Sequence, residues 1–280
     1  MRVIAILLAT LTLMAPAPPA QKLKVHISVD MEGVVGTVTG DQLGPTGFEY
    51  GRFRDFMTRE ALAAVNAARA AGATDIIVTD AHGNGENLLI EQFPADVRII
   101  RSWPRQLGMV AGADQADVVM FIGYHASTNN VKGVRAHTFS SANLTRVALN
   151  GVNVSEGSWA AAIAGHFNAP VIMMSGDDAA IAEVRKAIGN VEAAETKRSL
   201  GFHSAVTITP GASTYLIAQR IAAACEAESC DPRSVKRVCL PFPGLIARAS
   251  SLPGSTQGES VPIASTLWKL SKEGTGAKTA

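Results

Sequence analysis

Cysteine is scarce in this chain and confined to its last quarter: Cys225, Cys230 and Cys239 are the only three. None falls near the acidic and histidine-bearing segments described below, which excludes a thiolate metal site there. None falls near the amino-terminal apolar run either, so a lipid-anchored form has no support. Charge of one sign is equally lacking. Lys and Arg number 25 against 24 Asp and Glu, a formal net charge of +1. That balance gives no electrostatic footprint for nucleic acid or an anionic membrane as partner. The apolar run from Val3 to Met14 falls short of the ~20 residues that a membrane span needs. No internal repeat is present.

What is there begins with a leader. Arg2 supplies a positive start, the apolar run follows, and Ala15 to Ala20 is small and breaker-rich. Residues 1–20 read as a secretory signal peptide, with Ala17 and Ala20 as alternative cleavage positions. The product is expected to be exported, periplasmic in a bacterium, and free of the membrane once the signal is removed. An export route permits a short Cys225–Cys230 disulfide. About 260 residues then remain, enough for one large domain. With 47% of the chain apolar, a substantial core is possible.

Hydrophobic patterning predicts an α/β fold over residues 21–227. Lys24 to Asp30 is a first strand, Met31 to Tyr50 a long Gly-rich loop, and Arg52 to Ala71 a helix. Thr74 to Thr79 is a second strand, so the pair is parallel with a right-handed crossover. Further strands are expected at 96–102, 117–123, 144–149, 152–154 and 171–174, with an outlying one at 131–140. Short or regular helices are expected at 106–113, from Ser155 to about Phe167, at 179–188 and at 213–226. The sheet is mostly parallel with helices on both faces. From 228 to 280 Pro, Ser and Gly are frequent and no clean period persists, which predicts an atypical, loosely ordered tail.

Four buried-looking strands end in polar chemistry: Asp30 and Glu32, Asp80 and His82, His125, and Asp177 with Asp178. In an open parallel sheet, ligand sites lie outside the carboxyl ends of the strands, so these ends are neighbours. Alternation along a strand sends Asp30 and Glu32 the same way. Such a pair is costly unless a cation lies between the two acids or one of them is protonated. Gly33 and Gly36 allow a sharp turn where the acids emerge. Glu156, at a helix start, can join them. Two imidazoles and three carboxylates make an N/O metal site of the kind that suits zinc. Five protein ligands exceed what one tetrahedral zinc needs, and a shared carboxylate between two ions fits better. Two divalent ions against three carboxylates leave room for one hydroxide, the nucleophile of a two-metal hydrolase.

Each residue also has a plain reading. His82 and His125 taken singly are loop histidines, and Glu156 is a first-turn glutamate favoured by the helix dipole. Asp80 reads as a residue that orients His82 or caps a turn, and Asp177 and Asp178 as caps of the following helix. His26 shares the face of Asp30 but lies about 13 Å back along the strand at ~3.3 Å per residue, too far to share an ion. His166 complements a helix C-terminus, and His203 carries no signal. From these residues alone three functions stand open: a two-metal peptidase, another binuclear hydrolase such as an amidase or phosphoesterase, and a periplasmic metal- or peptide-binding protein without turnover.

In combination, six segments resemble the zinc-dependent D-aminopeptidases of the DppA type. They are Ser28-Val-Asp-Met-Glu-Gly33, Asp80-Ala-His82, Gly123-Tyr-His-Ala126, Ala136-His-Thr138, Ser155-Glu-Gly157 and Ser175-Gly-Asp-Asp178, within a match from Lys24 to Thr209. The resemblance implies two zinc ions on Asp30, Glu32, His82, His125 and Glu156, with Asp30 as the bridge. It also implies a catalytic His137, suited to acid–base work or oxyanion stabilisation. It implies short peptides as substrates, with N-terminal D-residues, and homo-oligomeric rings around an inner chamber. The departure lies after Glu226, where a shifted reading frame or rapid divergence of the tail are the two accounts.

Overall fold

The computed structural model describes residues 22–228, 246–251 and 261–262, with side chains described as far as residue 226. The expected signal peptide, Cys230 and Cys239 lie outside the described residues. In chain order the elements are β1 (Leu23–Val29), α1 (Tyr50–Ala70), β2 (Ala73–Asp80), β3 (Arg98–Ile100), β4 (Val118–Tyr124), β5 (Leu144–Leu149) and β6 (Val152–Asn153). They continue with α2 (Glu156–His166), β7 (Val171–Asp177), α3 (Asp178–Ile188), β8 (Glu192–Gly201), β9 (Ser204–Thr207) and α4 (Pro210–Glu228). Two short strands close the series, β10 (Ile246–Ser251) and β11 (Val261–Pro262).

Strands run in the order β3-β2-β1-β4-β7-β8-β9. Every pairing in this sheet is parallel except β8 with β9. The α/β architecture expected from the patterning is therefore present. The chain grows outward from β1 through β2 to β3, then returns to place β4 on the other side of β1. That reversal is a topological switch point, where the carboxyl ends of neighbouring strands open a crevice.

Burial on both faces explains why the central strands read as continuous apolar runs. Along β4, Val118, Met120 and Ile122 pack with Phe53, Met57 and Val65 of α1 and Ile217 and Ile221 of α4. The alternate residues Val119 and Phe121 join Trp159 and Ile163 of α2 and Ile181 and Val184 of α3. Among the described residues no helix is long and apolar enough to cross a membrane.

Two expectations need correction, and two elements were not expected. The 106–113 segment forms two 3-10 turns, Gly108–Val110 and Ala113–Gln115, because positive φ at Leu107, Gly108 and Gly112 interrupts a continuous helix. Val131 to Ser140 is not a strand. Arg135 (φ 54) and Phe139 (φ 62) are left-handed, which extended pairing does not allow. The hairpin of β8 and β9 was not expected, since Glu-Ala-Ala-Glu-Thr-Lys lacks β-branched and aromatic density. Its order comes from pairing with β7. Finally, part of the tail is a strand, β10, antiparallel to β5 with Ala247 opposite Leu149. Cys225 is disulfide-bonded, but the pairing with Cys230 falls outside the described residues.

Glu60 is buried in α1. Its Oε1 accepts hydrogen bonds from Val35 N (3.0 Å) and Ser213 Oγ (2.7 Å), while Oε2 has no hydrogen-bond partner. Burial pushes its pKa up to about 7 against the opposing pull of those two bonds and of Lys197. The folded chain thus binds a proton there more tightly than the unfolded chain does. This contribution to stability is complete below the ordinary glutamate value and is lost as pH rises through about 7. Glu60→Gln removes this dependence. Its melting temperature relative to the parent is expected to rise between pH 5 and about pH 7 and to level off above that. A constant difference over that range, measured by calorimetry, would refute a raised Glu60.

Candidate metal centre

The first segment of the site leaves β1 across the top of the sheet. Asp30 N donates to Ile122 O (2.8 Å) and Gly33 N to Gly123 O (2.7 Å), and Val34 N closes a turn onto Met31 O. The loop lies so close to β4 that a Cβ at Gly33 would sit 2.1 Å from Tyr124 O. Gly33 is thus required for close approach, and only Gly36 (φ 76) for a turn. Asp30 and Glu32 follow the end of β1, so this turn, rather than strand alternation, sends both inward.

Three imidazoles reach the same place in a common manner: each donates one ring nitrogen to a backbone carbonyl. His82 Nε2 donates to Leu43 O (2.8 Å), His125 Nδ1 to Ala126 O (2.9 Å) and His137 Nδ1 to Arg135 O (2.9 Å). The other nitrogen of each ring faces carboxylates. His82 Nδ1 lies 2.9 Å from Glu32 Oε2 and 3.3 Å from Asp30 Oδ1. His125 Nε2 lies 3.4 Å from both Asp30 Oδ2 and Glu156 Oε2. His137 Nε2 lies 3.6 Å from Glu156 Oε1 and 3.9 Å from Glu32 Oε1. The rings of His125 and His137 stack with centroids 4.1 Å apart and planes 7° from parallel.

Glu156 opens α2 behind the N-cap Ser155, whose Oγ accepts from Ser158 N at 3.2 Å. Its first-turn position and its place in the cluster coexist, as expected. Its Oε1 also accepts from Phe139 N at 2.6 Å.

The electrostatics follow from crowding three buried carboxylates. Burial first, and Glu32 next, push Asp30 up to about 7. Burial also acts to raise Glu32, but His82, His125 and His137 reverse it and hold the group well below the usual carboxylate range. Glu156 is lowered in the same way, burial being outweighed by His125 and His137. Burial would lower His82 and His125, yet the carboxylates beside them raise both well above the ordinary imidazole value. Between them the acids and rings leave Asp30 Oδ2 and His125 Nε2 buried without a hydrogen-bond partner.

Two orphaned donor atoms side by side, one an oxygen and one a nitrogen, are the chemistry that a cation satisfies. Three ligand groups could hold one: Asp30, Glu32 and His82; Asp30, His125 and Glu156; and Glu32, His125 and His137. The first two share Asp30 and between them use all five residues expected as ligands. The donor set therefore fits metal.

The polar strand ends outside this set have the plainer roles. Asp80 accepts from Asn87 N (2.5 Å) and Leu88 N (2.7 Å), so it organises a turn, and does not touch the His82 ring. Asn87 Nδ2 then donates to His82 O at 2.7 Å, a contact with no signal in the sequence. Asp177 caps α3 through Ala180 N at 2.8 Å, and Asp178 accepts from Ser199 N. His26 bonds Thr79 Oγ1 (2.9 Å) in the core, away from the cluster.

The sequence profile of the Peptidase M55 family, described as D-aminopeptidase, matches residues 23–242. The chain belongs to the D-aminopeptidase family. The match runs on past Thr209, where the motif-bearing resemblance stops. A curated relative, the D-aminopeptidase of Bacillus subtilis (strain 168), is 29% identical over 201 residues, spanning 71% of this chain and 73% of that protein. Among solved structures, the chain resembles the Zn-dependent D-aminopeptidase DppA from Bacillus subtilis, described as a self-compartmentalizing protease. The TM-score is 0.79 at 24% identity, over 92% of this chain and 100% of that one, which shows a shared fold. Family membership together with the donor set makes this D-aminopeptidase-like chain a metallo-aminopeptidase.

Gly33→Ala is expected to displace the acid-bearing loop from Tyr124 and to lower stability by ~1–3 kcal/mol, the usual range for overpacking. Cobalt or zinc binding, read by isothermal titration, should fall at least tenfold. Gly51→Ala, with nothing within 4 Å of the added methyl, serves as the control and should match the parent. Parental metal affinity in Gly33→Ala would show that the close approach does not position the acids.

Proposed function

We propose that this family member is an exported two-zinc aminopeptidase that hydrolyses short peptides bearing N-terminal D-residues. The observation that carries the zinc reading is the pair of ligand groups sharing Asp30, with buried orphan atoms on Asp30 and His125. Asp30, Glu32 and His82 would hold one ion, and Asp30, His125 and Glu156 the other. Zinc, when bound, supplies Lewis acidity that activates water and polarises a carbonyl oxygen. His137 is the remaining imidazole and the one most open to solvent, its side chain 17% exposed against 0% for His125. With Nδ1 committed to Arg135 O, its Nε2 is the atom that takes a proton from the attacking water. The same atom returns it to the leaving amine as the peptide C–N bond breaks.

The D-preference rests on the family description and on the Bacillus subtilis relatives. Export rests on the leader read in residues 1–20. Ring assembly rests on the self-compartmentalizing relative and on a row of exposed apolar residues on the β8–β9 hairpin, Leu200, Phe202 and Val206. Such a row is a surface that a second copy can cover.

Glu32→Ala and His125→Ala should each lower kcat/KM by at least a thousandfold and reduce the zinc bound per chain. His137→Ala should lower kcat by about 10²–10⁴ while zinc content stays at the parental level. A panel of D-Ala peptides, L-peptides and aryl phosphates checks the substrate class. Hydrolysis of the phosphates alone, or of nothing in a zinc-loaded protein, overturns the reading. For assembly, light scattering on the purified chain should give a mass several times that of one subunit, and Phe202→Asp should reduce it. A monomeric parent would refute the ring.

A further inference from the structure

We propose that Lys197 is a positioning residue for the metal-bearing loop: its ammonium gathers the carbonyls of Glu32, Val34 and Thr37 and so fixes where Asp30 and Glu32 point. The inference rests on the two-zinc reading above and deepens it. Lys197 stands on β8 opposite Asp177 of β7, at the carboxyl end of the sheet and beyond the ligand strands. Its side chain is buried. Nζ donates to Glu32 O (2.5 Å), Val34 O (2.8 Å) and Thr37 O (2.7 Å), which uses all three of its N–H groups.

Simple packing does not call for an ammonium here. Burying one is costly unless every donor is met, and an apolar chain of the same length avoids the penalty. Among the described residues Lys197 makes no ion pair within 4 Å with a carboxylate; Asp177, Glu60, Glu32 and Asp30 attract it only from farther off. What the ammonium offers is three donors diverging from one point. The loop turns three carbonyls inward onto that point, a pattern that diverging donors match more closely than the fixed plane of a guanidinium.

Its neighbours grip the same loop. Thr196 Oγ1 donates to Gly33 O (2.7 Å), Glu60 Oε1 accepts from Val35 N (3.0 Å), and Thr207 Oγ1 accepts from Gly36 N (3.0 Å). Successive backbone groups from Glu32 to Thr37 are thus held from β8, β9 and α1. The same loop carries the two acids. With Gly33 seated on β4 and Glu32 tied to Lys197, the Glu32 carboxylate has little freedom left. The hairpin that the patterning failed to predict is therefore part of the apparatus that sets ligand geometry.

The test compares the full-length parent with Lys197→Met and Lys197→Arg. Zinc affinity is read by competition with a chromophoric chelator, ligand geometry by the visible spectrum of the cobalt-loaded protein, and turnover by kcat and KM on a D-Ala peptide. Lys197→Met is expected to weaken zinc at least tenfold, to alter the cobalt bands and to lower kcat at least tenfold with KM within threefold. Lys197→Arg should fail to restore the bands. Parental affinity and bands in a folded Lys197→Met overturn the proposal. If that variant does not fold, Thr196→Val decides, with a weakening of zinc of at least threefold expected and parental affinity counting against the proposal. A parent that binds no zinc defeats the two-zinc reading itself, and the role assigned to Lys197 with it.

Discussion

Three carboxylates buried within reach of one another are the constraint around which this chain is arranged. Left in an apolar interior they would protonate or drive the loops apart. The chain meets the constraint with imidazoles, and it aims those imidazoles with its own backbone. Each of His82, His125 and His137 spends one nitrogen on a main-chain oxygen, those of Leu43, Ala126 and Arg135. That single hydrogen bond sets the ring plane and turns the second nitrogen towards the acids.

The sheet provides the platform for this. The reversal of strand order beside β1 brings the ends of β1, β2 and β4 together, and each delivers one kind of donor. The loop after β1 must then cross the edge of β4 at a separation that admits no side chain at Gly33. Close backbone packing of this kind has little give. The acids inherit the rigidity of the core beneath them, which a free surface loop would not supply.

The sequence made the central sheet and the cluster of candidate donors legible, and for one physical reason. Strands buried on both faces leave an unbroken apolar run, and a polar residue directly after such a run has to be at a sheet edge. That logic located Asp30, Glu32, His82 and His125, and the capping pattern located Glu156. It could not locate what depends on distant backbone. Nothing in Leu43 announces a carbonyl for His82, and nothing in Glu-Thr-Lys-Arg marks Lys197 as buried, since a lysine in a polar strand reads as solvent-facing. The segment 131–140 misled for a related reason. Its Val and Phe look extended, but Arg135 and Phe139 adopt left-handed backbone, held by Phe202 O on Arg135 N and by Glu156 on Phe139 N. Tertiary contacts decided that conformation against local propensity.

Glu156 shows why that distorted segment matters. Its two oxygens face different rings: Oε2 is 3.4 Å from His125 Nε2 and Oε1 is 3.6 Å from His137 Nε2. The rings stack nearly parallel, so their nitrogens approach the carboxylate side by side. Oε1 also holds Phe139 N, two residues beyond His137. One carboxylate thus touches the buried imidazole, the partly buried imidazole and the backbone that carries the latter. A shift of α2 would move all three together, whereas a shift of the 135–139 segment would be felt at His125 through Glu156. If His125 serves a cation and His137 a proton, the distance between those two tasks is set by the width of a single carboxyl group.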